Sequence, residues 1–533
     1  MSVHFTSISE SNPVKAGDAE ALLKPFGLTI DPAEAQDFHT LLAAVHDCAE
    51  SVAALPDYQP VPDQTKYPRE NVRRPSETEQ VFGQAWAHRF LIRGNPQGGP
   101  LAGKSISLKD VIAVAGVPQL LGSDIIPSWT PTTDATVVTR LLDAGADIHG
   151  TSTCENMCHS TSSYTSAQGT VENPNAQGYS AGGSTCGGAA LVAAGIVDIT
   201  IGGDQGGSIR VPASFCGCVG LKPTYGRVPF TGIASGDAMN DHTGPLSRTT
   251  LETAACLDVI SGYDGIDDRA VGSSKPGSTR FAEALQQYPN TLDGFKVGIL
   301  VEGFEHSAVD PHVKGAVFAA TQRFKDLGAT IEEVSLPEHL QGPAIWTIQQ
   351  RIAGAQTLLG KNTGRRGLYM TDMERARLPW TDDGFQRAFP STKNVIINGL
   401  YLMQQFPDLY GKTANIGRLL SDKYETLFEK YDILVMPTTP VVAPRHGKRE
   451  LPLDSLKPSM GLTINTAIFN VTGHPALSIP VGFAPAKEDD QIMLPVGMQI
   501  VGGLWQEEKI LRAAHAWDTH FDWKKMHYST DKN

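Results

Sequence analysis

The chain has 533 residues, 41% hydrophobic and 19% charged, with a formal net charge of −13. This composition belongs to a globular protein and not to a disordered or fibrous one, and the acidic balance argues against nucleic acid or an anionic membrane as a partner. Seven cysteines, an odd number, with five crowded between Cys154 and Cys218, do not form a secretory disulfide framework.

In chain order, MSVHFTSISESNPVKAGDAE lacks the apolar core of a signal peptide. The run AALVAAGIV is far short of a membrane span, so a cytoplasmic protein is expected. DPAEAQDFHTLLAAVHDCAESVAAL predicts a helix with Asp31 as its cap and Pro32 in its first turn. PDYQPVPDQTKYPRENVRRPSE, rich in proline and charge, reads as an extended linker. Residues 1–80 are therefore an N-terminal helical extension and linker, and residues 81–533 the main domain.

From Leu101 onward, short β-rich runs alternate with helical ones: KSISLKDVIAV, ATVVTRLLDAGA, DIHGTST, GGAALVAAG, VDITIGG, and later FKVGILVEG and TIEEVSL. That alternation predicts an α/β fold. Residues 337–430 read as a helical insertion or lid, after which DILVMPTTP, ALSIPVGF and PVGMQIVGG return to strand and QEEKILRAAHAWDTHF closes with a helix. A return to strand after the helical excursion predicts one large sheet assembled from distant segments.

Three short motifs offer chemistry. GYSAG, from Gly178 to Gly182, matches the nucleophile elbow G-x-S-x-G around Ser180. The elbow needs a strand before it and a helix after it, whereas VENPNAQ reads as a turn and two more glycines follow. Cys154, Cys158 and His159, with Cys216 and Cys218, offer metal-ligand residue types, but the spacings do not form matched zinc pairs, and free cysteine is commonly a small buried side chain. GGDQGGS after a strand could cradle a phosphate, yet it lacks the G-K-[ST] ending of a P-loop.

GGDQGGSIRVP also sets Ser208 among glycines with no histidine near it, and Lys109 and Ser184 stand upstream in SISLKDVIAVAGVP and AGGSTCGG. Taken together, GKSISLKDVIAVAGVP, GGSTCGGAALVAAG, IGGDQGGSIRVPASFCGCVGLKPTYGRVP, VMPTTP and NVTGHPALSIP resemble the amidase signature family of serine amidohydrolases in order and spacing, from about Leu101 to Thr519. The IGGDQGGSIR wording is most similar to bacterial amidases that act after nitrile hydratases.

The resemblance implies a large mixed sheet sandwiched by helices and a Ser–cis-Ser–Lys triad of Ser208, Ser184 and Lys109, with a cis peptide at Gly183–Ser184. A lysine removed from water beside uncharged hydroxyls can take up a proton, and a bridging serine can pass one along. It further implies an oxyanion hole from the N–H groups of Gln205, Gly206, Gly207 and Ser208, and no metal or organic cofactor. His159, Tyr164 and the Gln205 side chain are candidates for the acyl pocket; His159 reads equally well as a satisfied core histidine.

Thr185 is expected to cap the helix after Ser184, and Cys186 is a thiol at a helix start, where a pKa can fall, though a packing role is expected for it. Asp204 and Arg210 are expected to brace the loop. The implied reaction is hydrolysis of a small-molecule amide, or of a carbamate (a urethanase activity), by a homo-oligomer with residues 1–80 at its interface. The alternative is the glutaminase-type component of a tRNA-dependent amidotransferase.

Overall fold

The computed structural model describes residues 8–126, 129–288, 290–361, 363–449 and 451–528. The chain divides into two compact units, 1–60 and 61–533, so the boundary falls near residue 60 where the sequence reading drew it at 80. In the first unit a helix spans Ala35–Ala53. Asp31 does not cap it: the carboxylate accepts from the N–H of Ala33, and the carbonyl accepts from Glu34. This residue forms a turn ahead of the helix because Pro32 and Ala33 stay outside it.

The second unit is built on a mixed sheet. Its strands are β1 (Glu70–Arg73), β2 (Trp86–Ile92), β3 (Ser105–Lys109), β4 (Asp147–Ser152), β5 (Glu172–Asn173), β6 (Ala176–Ser180) and β7 (Ile199–Asp204). Then come β8 (Val219–Lys222), β9 (His242–Ser247), β10 (Lys296–Leu300), β11 (Thr330–Val334), β12 (Ile433–Pro437), β13 (Ala476–Ala486) and β14 (Asp489–Val501). Twelve of them form one sheet in the order β1-β2-β4-β3-β7-β9-β8-β13-β14-β12-β10-β11, and β5 and β6 pair apart from it. Segments far apart in sequence are neighbours here: β8 pairs antiparallel with β13, Leu221 opposite Leu477.

Near its centre β3 runs parallel to both β4 and β7. The strands beyond it, β9 and β8, pair antiparallel, and every residue of β7, β8 and β9 is buried. Residues 337–430 are helical as expected, with long helices at Gly342–Leu358, Pro390–Gln405 and Leu409–Phe428. Among the described residues no helix is long and apolar enough to cross a membrane.

Candidate active site

Parallel pairing of β3 with β7 brings the carboxyl ends of both strands to one edge, where α/β sheets keep their ligand crevices. Lys109 is the last residue of β3, and the loop from Gln205 to Ile209 follows β7. Ser184 stands two residues before the helix Cys186–Ala193, which is buried as far as Val192. Lys109 and Ser184 are wholly buried and Ser208 is 7% exposed. Lys109 Nζ donates to Ser184 Oγ at 2.8 Å and to the Gly203 carbonyl at 3.2 Å. The Gly183–Ser184 peptide is cis.

Ser208 is held beside this pair by its backbone, since its carbonyl accepts from the Thr185 N–H at 3.3 Å. Its hydroxyl bonds no side chain among the described residues, Ser184 included, and it lines an open cavity.

The loop is pinned from outside. Trp346 Nε1 donates to the Gln205 carbonyl at 2.6 Å, and Thr466 Oγ1 to the Gly206 carbonyl at 2.7 Å. A peptide's N–H points away from its carbonyl, so these two bonds fix the direction of the Gly206 and Gly207 N–H groups. The Gly207 N–H is spent on Asp204 Oδ1 at 2.8 Å, which corrects its expected place in the oxyanion hole. Among the described residues no acceptor meets the N–H groups of Gln205, Gly206 or Ser208, and these remain available to a ligand. Glycine is required twice: a Cβ on Gly206 would lie 2.3 Å from the Trp346 ring, and Gly207 has φ +135° with Thr466 Oγ1 2.4 Å from its Cβ position.

Beneath the loop lies a buried ion pair. Arg210 Nη2 donates to Asp204 Oδ1 at 2.9 Å and Arg210 Nε to Oδ2 at 3.1 Å. Asp204 also accepts from the Ile209 N–H and from Asn470, while Arg210 reaches the Thr466 carbonyl and Gln499. Burial alone would raise the Asp204 carboxyl, but Arg210, then Asn470, hold it well below the usual carboxylate range. The expected brace is present, and Thr466, Asn470 and Gln499 are partners that the sequence did not reveal.

Two cavities meet here. Lys109 lines an inner one of ≈ 50 Å³ and Ser208 an outer one of ≈ 310 Å³, with Cys158, His159, Gln205 and Gln350 common to both. His159 is therefore a wall residue; burial, then Arg351 and Arg377, push its pKa down to about 3, so the ring is neutral. The Gln205 side chain lies between the cavities and is tied to Asp241 at 3.1 Å. Tyr164 lines neither cavity: its hydroxyl donates to the Ser455 carbonyl and its ring packs edge-on to Phe389 and His446.

Cys158 emerges as a wall residue, its thiol drawn down to about 6 by the hydrogen bond from Cys154, with burial opposing and Lys109 assisting. Cys186 behaves oppositely. It is buried, donates to the Thr153 carbonyl, and burial pushes its thiol well above the usual range. Thr185 makes no side-chain cap, and among the described residues its buried hydroxyl has no partner. The turn expected in VENPNAQ is present at Pro174–Asn175; Ser180 ends the strand after it, but that strand belongs to the small pair β5–β6 and no helix follows directly. Its hydroxyl donates to the Ser162 carbonyl. Among the described residues no group of three His, Cys, Asp or Glu side chains could hold a metal ion.

Residues 78–511 match the family model described as Amidase. The chain belongs to the amidase family. Among its relatives is an enantioselective amidase of Rhodococcus rhodochrous, 38% identical over 431 residues, 78% of this chain and 80% of that one. A glutamyl-tRNA(Gln) amidotransferase subunit of Methylococcus capsulatus is 35% identical, covering 82% of this chain and 87% of its own. Among solved structures, the peptide amidase of Stenotrophomonas maltophilia superposes with a TM-score of 0.62 at 25% identity, over 79% of this chain and 83% of that one. This amidase is accordingly a hydrolase of C–N bonds with the amidase signature fold.

Proposed function

We propose that the amidase cleaves carboxylic amides to acid and ammonia through an acyl-enzyme on Ser208. The observation that carries this reading is the buried Lys109 Nζ–Ser184 Oγ bond of 2.8 Å, set beside a serine hydroxyl and three backbone N–H groups that have no partner among the described residues. Ser208 Oγ attacks the carbonyl carbon and gives its proton to Ser184, whose own proton passes to Lys109. The N–H groups of Gln205, Gly206 and Ser208 receive the oxyanion. The C–N bond breaks as Ser184 returns a proton to the leaving nitrogen, and water then attacks the ester, regenerating Ser208. A carbamate presents the same electrophilic carbonyl, so urethane cleavage belongs to the same reading.

Ammonia release from acetamide, benzamide, glutamine and ethyl carbamate by the purified chain, beside Ser208→Ala, tests it. Turnover that survives in the variant overturns the assignment of the nucleophile. The 35% identity to an amidotransferase component favours one second reading, a partner-dependent glutaminase. Glutamine hydrolysis alone, and only with a partner protein present, is its expected signature.

A further inference from the structure

The outer cavity that Ser208 lines has one cation and no carboxylate in its described wall. The cation is Arg351, on the helix Gly342–Leu358 that also supplies Trp346. Arg351 is half-buried, and the arginines whose side chains are buried each lie near a carboxylate: Arg69 with Asp134, Arg210 with Asp204, Arg227 with Glu507 and, more distantly at 3.9 Å, Arg377 with Glu374. Arg351 holds none among the described residues. Its Nη1 donates to Oε1 of Gln350, and its Nε is buried without an acceptor. A desolvated guanidinium normally has an anionic partner, and its planar fork matches a carboxylate edge.

The surroundings leave room for that partner without supplying it. Gln350, which accepts from Arg351, faces His159 Nδ1 through its Nε2 at 3.1 Å, and this neutral ring cannot compensate the charge. Ser391, on the same wall, has a buried hydroxyl with no partner among the described residues. Elsewhere the wall is mixed, with Trp346, Leu456 and Ile464 beside Thr161, Asn394 and Thr463.

We propose that Arg351 anchors a carboxylate on the substrate, so that the preferred amides have an anionic far end. The proposal rests on the reading that Ser208 opens an amide in this cavity. The hydrolysed product is then a dicarboxylate, and the ammonia nitrogen comes from the amide alone.

The test uses the full chain and paired substrates: succinamate, glutaramate, adipamate and 4-carbamoylbenzoate, each beside its methyl ester, which keeps the carbonyl and removes the charge. At least one acid is expected to exceed its ester about tenfold to hundredfold in kcat/KM, through KM. Arg351→Met is expected to bring that ratio close to one, and Arg351→Lys to keep part of it. Acid-to-ester ratios below about two throughout, or a ratio that Arg351→Met leaves in place, overturn the proposal; a neutral acceptor that serves as well as the carboxylate does the same. Binding of free adipate and 4-carbamoylbenzoate to Ser208→Ala gives a readout without turnover and must weaken with Arg351→Met added. Release of ammonia from benzamide by the wild type, absent in Ser208→Ala, separates failure of this proposal from failure of the amidase reading.

Discussion

Replacing Asp204 with asparagine tests whether the buried pair shapes the loop that carries Ser208. The carboxylate receives five donors: the Gly207 and Ile209 N–H groups, two Arg210 nitrogens and the Asn470 amide. Asparagine keeps one oxygen and turns an NH₂ toward donors, leaving the wholly buried Arg210 with no counter-charge. Breaking such a pair from one side costs about 3–5 kcal/mol, a melting-point loss of roughly 5 °C or more in a chain of this size. The Gly207 N–H released from Asp204 disorders the peptides beside it, and losing one oxyanion donor lowers kcat by ~10²–10³. Because the carboxyl lies below the usual range, its contribution is complete above an unfolded pKa of about 3.9 and fades only as the pH drops through the lower folded value. The wild-type advantage is therefore expected to be constant between about pH 5 and 8. Scanning fluorimetry and steady-state ammonia release measure both quantities. A variant with unchanged melting and kcat within about twofold refutes the brace.

Trp346→Phe keeps the ring over Gly206 but removes the donor to the Gln205 carbonyl; kcat is expected to fall about fivefold, the value of one hydrogen bond, which steady-state kinetics will show. Iodoacetamide is expected to alkylate Cys158 with a midpoint near its thiol value of about 6 and to spare the buried Cys186; peptide mass mapping across pH decides, and modification of Cys186 first would contradict the burial argument. His159 refuses a proton until about pH 3, whereas the unfolded chain takes one up below about 6.5. This group thus supports the fold fully above that value and less as the pH falls toward 3. His159→Gln is expected to flatten the acid limb of the melting-point profile. Lys109→Met removes the proton acceptor while leaving a side chain of similar length, and loss of turnover with melting preserved within a few degrees is the expected result.

Much of this protein was legible in the sequence because local patterns carried it. The strand at SISLK, the Gly-rich loop after VDITIGG and the helical character of residues 337–430 follow from hydrophobic periodicity and turn chemistry, and the spacing of Lys109, Ser184 and Ser208 pointed to one family. Where neighbours distant in the chain decide a residue's partner, the sequence was silent. It could not show that the Gly207 N–H goes to Asp204, or that Trp346 and Thr466 hold the loop from 141 and 260 residues away. Nor could it show that Tyr164 turns to Ser455, or that Arg351 enters the Ser208 cavity with no carboxylate partner among the described residues. Sequence determines which groups exist and how each segment curls. Only the closed sheet, by setting which donors and acceptors face one another out of water, decides which remain free for chemistry.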